Sequence, residues 1–431
     1  MSDSAITVRP METAAEREAY YWLSSQAFSP EQQDKARAIA GRRRYMEEDP
    51  HFAPRMLRGA FRGSTLLGGY YIQERLLRVG KARLPTVCIG DVVADPEYRL
   101  QGAASALMRD AIVYAHAQKQ ALLLLDGIAR FYHRFGYIDM FDVTEQRISL
   151  ASAWVLSSGS YTVRPATFDD AAVLLAFYER HYGPYVGSFA RMLAQEQRQL
   201  SGRLATQNPP LLALDPAGQP AGYLLFPWGP DRSRAVEVAA NSLPAVAALL
   251  QYHARLLEAL SEPPTELFWR VPSDSPTIYL LIDHLLASET STGGGASRSW
   301  LVQSQTYRHA DTGWLARPGS VQALAEAMLP GWQDRWQQST PRWSGALTFA
   351  LAEDRFTLEV SQAGIRLLES PPAQASTLSL TAQAFTQLLF GYRPLAWVLE
   401  QAGQPVPDDL LPALKALFPP VTTWIAGSDD F

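Results

Sequence analysis

The sequence has very little cysteine, with one, Cys88, in 431 residues. A single thiol excludes an internal disulfide and a cysteine-rich metal site. The seven histidines show no spacing typical of zinc ligands, so we expect no metal. The start of the chain lacks the basic and apolar segments of a secretion signal, and no apolar run approaches the length of a membrane span. We therefore expect a cytoplasmic protein with no membrane partner.

The chain also lacks a strong charge of either sign, since its net charge at pH 7 is −5. This balance gives no reason to expect a nucleic-acid partner. The one basic cluster, Arg42-Arg43-Arg44, is followed at once by the acidic residues 47–49, which favours a solvated helix face. The hydrophobic fraction of 47% is that of an ordinary globular protein, and the length predicts two or three domains.

The most informative segment is VVADPEYRLQGAAS at residues 92–105. It predicts an apolar strand, a turn at Pro96 and a helix that begins after Gly102. Gly102 permits unusual backbone dihedrals, and the small residues that follow it leave room for an anion above the first helical turn. A diphosphate suits the positive end of the helix dipole. Neither a Walker loop nor a dinucleotide fingerprint fits the spacing, and an ordinary tight turn is the alternative.

A second element lies downstream, where the apolar run at 122–125 is followed by FYHRFGY at 131–137. Together, Arg99-x-x-Gly102-x-Ala104 and this aromatic element resemble the Gcn5-related N-acetyltransferase (GNAT) superfamily. The resemblance implies that acetyl-CoA is the co-substrate, bound by the strand backbone and by the loop that opens the helix. The residues expected to bind it are Val92, Val93, Ala94, Arg99, Leu100, Gln101, Gly102, Ala103, Ala104 and Ser105.

An internal repeat is visible in the sequence. ITVRP at 6–10 recurs as YTVRP at 161–165, and Gly69-Tyr70 recurs as Gly222-Tyr223. Two landmarks in nearly the same register predict a duplicated domain. The second copy lacks the glycine motif, since VEVAANSLP at 236–244 has neither glycine nor arginine at the corresponding turn. We expect a degenerate GNAT-like domain there, with a flexible loop at the glycine tract 293–295.

The last part of the chain changes character. Residues 345–360 and 364–368 predict strands, and helices are expected around 382–390 and 394–401. The whole layout resembles the enhanced-intracellular-survival family of acetyltransferases. This resemblance implies an α/β (α+β) fold: a catalytic GNAT domain at 1–154, a degenerate one at 155–308 and a sterol-carrier-protein-like domain at 309–431. It also implies a homo-oligomer, which is a hexamer in relatives.

The resemblance assigns catalysis to Tyr132 and to the terminal carboxylate of Phe431. A free tyrosine has a pKa near 10 and a thiol near 8.5, so Tyr132 is expected to donate a hydrogen bond to the departing sulfur. A carboxyl of pKa about 3.5 is a poor base, so Phe431 is expected to orient the amine. Phe28 is expected to line the acceptor pocket, and Asp430 to attract a cationic substrate. Alternatives are a core role for Tyr132 and a frayed chain end.

The leading hypothesis is an acetyl-CoA-dependent N-acetyltransferase that acts on primary amines of a cationic acceptor: an aminoglycoside-like molecule, a polyamine or lysine. The alternative is a protein that binds acyl-CoA or lipid without turnover. A structural scaffold is disfavoured, because one copy keeps the motif and the other has lost it.

Overall fold

The structure is a computed structural model that describes residues 5–128, 130–289, 302–307, 312–340, 343–352, 354–403 and 405–431. The glycine tract 293–295 lies outside these residues. The chain forms two compact units. The first contains Met1–Phe141, Ala310–Val421 and Phe431, and the second contains Asp142–His309 and Thr422–Asp430.

The N-terminal region alternates strands with helices that cover the apolar side chains of its sheet. Its elements are β1 Thr7–Pro10, α1 Ala14–Phe28, α2 Lys35–Glu47, β2 Leu57–Arg62, β3 Thr65–Val79, β4 Ala82–Ala94, α3 Ala103–Ala117, β5 Leu122–Ile128 and β6 Ile138–Asp139. Helix α1 begins at a capping box, in which the Thr13 side chain accepts the Glu16 N–H and the Glu16 carboxylate accepts the Thr13 N–H. The buried faces of α1 and α3 pack with the sheet in one apolar core that includes Tyr20 and Leu107.

The middle region repeats this alternation. Its elements are β7 Val143–Ser149, β8 Thr162–Pro165, α4 Ala171–His181, α5 Leu193–Ala205, β9 Leu211–Leu214, β10 Pro220–Leu225, β11 Arg234–Ala235, β12 Glu237–Ala240, α6 Leu243–Glu258, β13 Glu266–Trp269, α7 Pro276–Glu289 and β14 Val302–Tyr307. They form two sheets, with strand orders β12-β10-β9-β8 and β11-β13-β7-β14. Helix α6 is buried on most of its surface and contributes to the core of this unit.

The third region carries the strands and helices predicted there, together with two strands and two helices that were not predicted. Its elements are β15 Thr312–Pro318, α8 Val321–Gln337, β16 Gly345–Leu351, β17 Asp354–Ser361, β18 Gly364–Leu368, β19 Ser376–Leu380, α9 Ala382–Leu389, α10 Leu395–Ala402 and α11 Leu411–Leu417. The last four strands form a sheet of order β18-β17-β16-β19. Aromatic packing holds this region together, since the Trp332 ring of α8 stacks on Phe356 at 5.8 Å between centroids.

One strand of the third region completes the sheet of the N-terminal region. The seven-stranded order is β1-β2-β3-β4-β5-β15-β6, and β15 pairs antiparallel with β5 along its whole length, from Thr312↔Ile128 to Pro318↔Leu122. Strand β7, at residues 143–149, instead pairs with β13 and β14 in the second unit. The predicted boundaries at 154 and 308 thus leave β7 and β15 on the opposite sides from the sheets to which they are hydrogen-bonded.

Candidate active site

The central feature of the first unit is a separation between two parallel strands. Strands β4 and β5 pair at Thr86↔Leu122, Val87↔Leu123 and Cys88↔Leu124, and no described pair joins them beyond that point. Further along, β4 pairs only with β3, and β5 pairs only with β15. The backbone of β4 after Cys88 therefore has no strand partner on the side that faces β5. A ligand with amide groups can pair with such an edge.

A β-bulge directs this part of β4 away from β5. The register with β3 shifts between Tyr71↔Gly90 and Gly69↔Val93, and Asp91 in the bulge has a φ of +50°. Left-handed backbone costs a non-glycine residue about 1 kcal/mol or more, so the conformation needs support from its neighbours. The Tyr20 hydroxyl of α1 donates to the Asp91 carbonyl oxygen at 2.9 Å.

The Asp91 side chain is held as firmly as its backbone. Its carboxylate accepts hydrogen bonds from Ser24 at 2.9 Å and from Arg42 at 2.9 Å. Burial raises the pKa of Asp91, although the Arg42 guanidinium opposes the shift. The expectation of a solvated helix face is confirmed for Arg43 and Arg44, which are exposed, but it is wrong for Arg42, whose side chain is 16% exposed. The bulge pairs Arg42 with a carboxylate that is distant in sequence.

The predicted diphosphate loop follows β4 and has the backbone geometry that an anion site needs. Leu100 has a φ of +64° and Gly102 a φ of +91°, and the Leu100 side chain is fully exposed. Helix α3 begins at Ala103 as predicted, and Gly102 at its N-cap supplies no side-chain hydrogen bond. The first N–H groups of α3 therefore keep their donors for a ligand. Arg62 supports the loop by donating to the Gln101 side chain at 2.8 Å.

The remaining residues predicted to bind the cofactor differ in the exposure of their side chains. Val93 and Ala103 are buried in the core of the first unit, and Val92 packs against that core from the edge. Ala94 and Ala104 are half-buried, and Arg99 is exposed at the end of the turn. Backbone contacts to a ligand are compatible with this burial, because they leave the side chains free to pack. Ser105 lies in the first turn of α3.

Tyr132 lies on the far side of the strand separation, next to β5. It opens a short 3₁₀ helix, Tyr132–Phe135, and its ring occupies the space in which a Cβ at Gly127 of β5 would lie. The ring contacts Phe131 edge-on at 4.9 Å between centroids. Burial raises the pKa of Tyr132 to about 12, and the Asp126 carboxylate adds to the shift. The hydroxyl therefore stays protonated, as a hydrogen-bond donor, at neutral pH.

Phe431 lies on the β4 side of the same separation. A Cβ built at Gly90 would lie 2.9 Å from the carboxyl carbon of Phe431 and 3.2 Å from its oxygen. The Phe431 ring packs against Trp314 of β15, with 5.4 Å between centroids. Neither Gly90 nor Trp314 was among the predicted site residues. No local signal marks Trp314, because its position depends on the partner that β15 selects.

The two predicted acceptor residues lie in different units. Phe28 ends α1, is 52% exposed, and has the Arg42 guanidinium 5.7 Å from its ring centroid. Through Arg42 it is connected to Asp91 and the bulge. Asp430 is exposed and belongs to the second unit.

The N-terminal region, which contains the separated strands, matches a known protein family. Residues 7–138 match the family described as "Acetyltransferase (GNAT) domain". The N-terminal region is a GNAT acetyltransferase domain. It gives the protein the activity class of an N-acetyltransferase. No curated protein matches the chain.

Solved structures resemble the chain over nearly its whole length and show a shared fold. A probable N-acyltransferase from Enterococcus faecalis has a TM-score of 0.72 at 17% identity, with 99% of this chain and 100% of that chain covered. A GCN5-related N-acetyltransferase from Anabaena variabilis gives 0.69 at 17% identity, covering 98% and 99%. Eis1 from Mycobacterium abscessus gives 0.62 at 17% identity, covering 99% and 100%.

Two features are absent from the described residues. Among them, no helix combines the length and the apolar character needed to cross a membrane. Within the same part of the chain, no group of three or more histidine, cysteine or acidic side chains is arranged to hold a metal ion. Chemically, the first unit offers a strand edge, an uncapped helix start, a protonated phenol and the Phe431 carboxyl group.

Proposed function

We propose that the protein transfers the acetyl group of acetyl-CoA to a primary amine of a cationic acceptor, such as an aminoglycoside-like molecule, a polyamine or a lysine side chain. The observation that carries this proposal is the separation of β4 and β5 beyond Cys88↔Leu124. Each separated strand has a glycine there, and each glycine adjoins one predicted catalytic residue: Phe431 at Gly90 and Tyr132 at Gly127.

Two parts of acetyl-CoA bind to different residues of this arrangement. The amides of its pantetheine arm pair with the backbone of Val92, Val93 and Ala94, and one N–H there polarises the thioester carbonyl. Its diphosphate binds the N–H groups at residues 99–105, where Gly102 leaves the helix start uncapped. The exposed Arg99 side chain adds a positive charge at the end of the turn.

In the proposed mechanism the neutral amine attacks the thioester carbonyl, the new N–C bond forms, the C–S bond breaks and the thiolate leaves, while the proton released from the nitrogen passes to solvent. Because the pKa of Tyr132 is raised to about 12, full proton transfer to a thiolate of pKa about 8.5 is uphill by roughly 5 kcal/mol. Tyr132 therefore acts by donating a hydrogen bond to the sulfur as charge develops there. The Phe431 carboxylate orients the attacking amine and stabilises the positive charge that it acquires.

The domain organisation that goes with this proposal is a tandem one, with a catalytic domain at 1–154, a degenerate copy at 155–308 and a sterol-carrier-protein-like domain at 309–431. Strand order supports the duplication. The series β8-β9-β10-β12 repeats β1-β2-β3-β4, and β13-β7-β14 repeats β5-β15-β6. Strands β7 and β15 occupy equivalent places in the two sheets, although β7 falls in the proposed first domain and β15 in the proposed third. Assembly into a homo-oligomer belongs to the same proposal.

The test is release of CoA thiol from acetyl-CoA in the presence of a panel of amines. Deletion of Phe431 and Tyr132→Phe should each lower kcat by about 10²-fold or more, with acetyl-CoA affinity within about threefold of the wild type. Tyr137→Phe is the matched control, since this neighbouring tyrosine is also buried and its hydroxyl has no hydrogen-bond partner among the described residues. Full activity in both test variants would remove this mechanism.

A second candidate function, binding of acyl-CoA or lipid without turnover, is favoured by one observation. The third region has a mostly apolar cavity of about 550 Å³, lined among others by Ala350, Leu380, Ala384 and Val398. If this is the function, a fluorescent fatty acid binds the full chain, and thiol release stays at the amine-free rate for every amine tested. Amine-dependent release selects the enzyme.

A further inference from the structure

The C-terminal segment 422–430 is built into the second unit as part of its core. Thr423 forms a parallel bridge with Val186, and the backbone N–H of Trp424 donates to the Val186 carbonyl at 2.8 Å. The Thr422 hydroxyl donates to Asp274 at 2.6 Å. Trp424 is buried in an apolar cluster with residues of α4 and β10. These contacts fix the beginning and the middle of the segment.

The end of the segment is held by a buried arginine. Arg191 donates to the Asp429 carboxylate at 2.9 Å and to the Ser428 hydroxyl at 2.6 Å. The same guanidinium donates to Glu237 of β12 at 2.5 Å, and its side chain is only 4% exposed. Asp429 accepts a second hydrogen bond from the Tyr178 hydroxyl at 3.0 Å. Both oxygens of this carboxylate therefore have a partner in the body of the second unit.

The shape of the site leaves the guanidinium little freedom. Its central carbon lies 3.4 Å from the centroid of the Tyr178 ring, so the plane is fixed by an aromatic face as well as by carboxylates. Glu196 lies 3.5 Å from the remaining nitrogen. One cation thus faces three buried carboxylates. Buried ion pairs contribute little net stability compared with apolar packing, so stability alone is a weak reason for this cluster.

The position of this cluster next to the end of the chain explains it better. The held segment ends at Asp429, and only Asp430 separates it from Phe431. We propose that Arg191 is a positioning residue for the acetyl transfer, which acts through Asp429 and Ser428 to keep the Phe431 carboxylate at Gly90. This inference rests on the proposed role of Phe431. It assigns to the degenerate second copy a part in the reaction that requires no ligand of its own.

The first readout is physical and independent of activity. Carboxypeptidase A is added to the folded full chain, and loss of the terminal phenylalanine is followed by intact mass. Asp429→Asn and Arg191→Lys should each accelerate this loss at least tenfold, because each weakens the contact from one side. Asp170→Asn is the matched control. It removes a carboxylate charge from an Arg–Asp pair of the same unit, with Arg164 at 2.7 Å, and should leave the rate unchanged.

The second readout is kinetic, and it separates this inference from the proposed role of Phe431. Both test variants should lower kcat by about tenfold, with the KM for acetyl-CoA unchanged. Deleting Phe431 in the Asp429→Asn background should lower kcat only to the level of the deletion alone. Where a charge variant fails to fold, Ser428→Ala replaces it. This variant should also accelerate the release of phenylalanine and lower kcat, each by a smaller factor.

Unchanged release of phenylalanine from the folded variants would overturn the positioning role of Arg191. Faster release together with unchanged kcat would show that Arg191 holds the segment, and would instead remove the Phe431 carboxylate from the mechanism. Faster release of the Asp170→Asn control, at the rate of the test variants, would mean that any loosening of the second unit frees the chain end, which also contradicts a specific role for Arg191.

Discussion

Helices α3 and α6 follow equivalent strands in the two proposed copies, and they differ in whether the chain itself supplies acceptors for their first N–H groups. At α3 the N-cap is Gly102, which supplies no side-chain acceptor. At α6 the N-cap is Ser242, whose hydroxyl accepts the Ala245 N–H, and Pro244 removes another donor from the first turn. One helix start is left open for a ligand, and the other is closed by its own residues.

The strands that lead into these helices show the same difference. In the second copy the Ala240 N–H, at the end of β12, donates to the Thr277 hydroxyl of α7 at 3.2 Å. In the first copy the end of β4 has no described strand partner on the side of β5. Under the proposed function, this topology binds acetyl-CoA only where backbone donors have no partner among the described residues. Function depends on that local detail rather than on the fold.

The largest expected effect comes from closing the open helix start. Gly102→Asp places a carboxylate at the N-cap, where it captures the first-turn N–H groups and repels a diphosphate, and it strains a residue with a φ of +91°. We expect acetyl-CoA affinity to fall by about 100-fold, or about 2.7 kcal/mol. Isothermal titration calorimetry measures it. Binding within threefold of the wild type would contradict the anion site at α3.

The cluster of buried carboxylates around Arg191 in the proposed second copy makes the stability of the protein depend on pH. Burial, reinforced by Glu237 and Asp429, raises the pKa of Glu196 to about 7 despite the opposing Arg191 guanidinium. Folded Glu196 keeps its proton where the unfolded side chain loses it, so stability falls as pH rises from about 4.5 to 7. Glu196→Gln should remove this fall and stabilise the protein at pH 8 by on the order of 2 kcal/mol.

Urea unfolding at pH 5 and pH 8 measures this effect. The wild type should lose stability between the two conditions, while the variant should not. A variant that is less stable than the wild type at pH 8 would show that the Glu196 charge is needed by Arg191, which reverses the predicted sign.

A smaller effect is expected from filling the space beside Phe431 in the first copy. Gly90→Ala places a methyl group 2.9 Å from the carboxyl carbon of Phe431, so the carboxylate has to move. We expect kcat to fall by about tenfold, equivalent to about 1.4 kcal/mol, with acetyl-CoA affinity unchanged. The deletion of Phe431 provides the control. In that background Gly90→Ala should have no further effect, and additive losses would mean that the methyl group acts elsewhere.

The smallest effect tests whether opening the second helix start restores a site. Ser242→Ala removes the cap of α6 and should cost about 1 kcal/mol of stability. The number of acetyl-CoA molecules bound per chain should stay at one. Pro244 still lacks a backbone N–H, and the Thr277 hydroxyl still accepts the Ala240 N–H. Thermal unfolding and calorimetric stoichiometry check the two parts. A second binding event would show that the cap alone separates the copies.

The parts of the fold that follow from local sequence were predictable. Gly102 marks the start of α3 at Ala103, and the apolar run at 122–125 begins β5 at Leu122. The repeated TVRP segments are β1 and β8. In each case a turn residue or a periodic apolar pattern lies within a few positions of the element that it specifies. Such signals require no knowledge of distant partners.

What was missed depends on partners far away in the chain. The sequence of β15 does not say that it pairs with β5, because register is set by the surface that a strand meets. The pairing of Arg42 with Asp91 depends on a bulge, and a basic run beside acidic residues gives no sign of it. Helix α8 contains Pro330, which marks an interruption of a helix when only the sequence is considered. The cluster at Arg191 combines residues more than 200 positions apart.

Strand β15 also determines when the seven-stranded sheet can be completed during folding. During synthesis β5 emerges long before residues 312–318, and until they arrive its edge presents unfilled hydrogen-bonding groups on a buried, leucine-rich strand. Pairings of such sequence separation form slowly. A fragment that ends near residue 141 would therefore be prone to aggregate, and full-length chains would fold with a late step in which β15 closes the sheet.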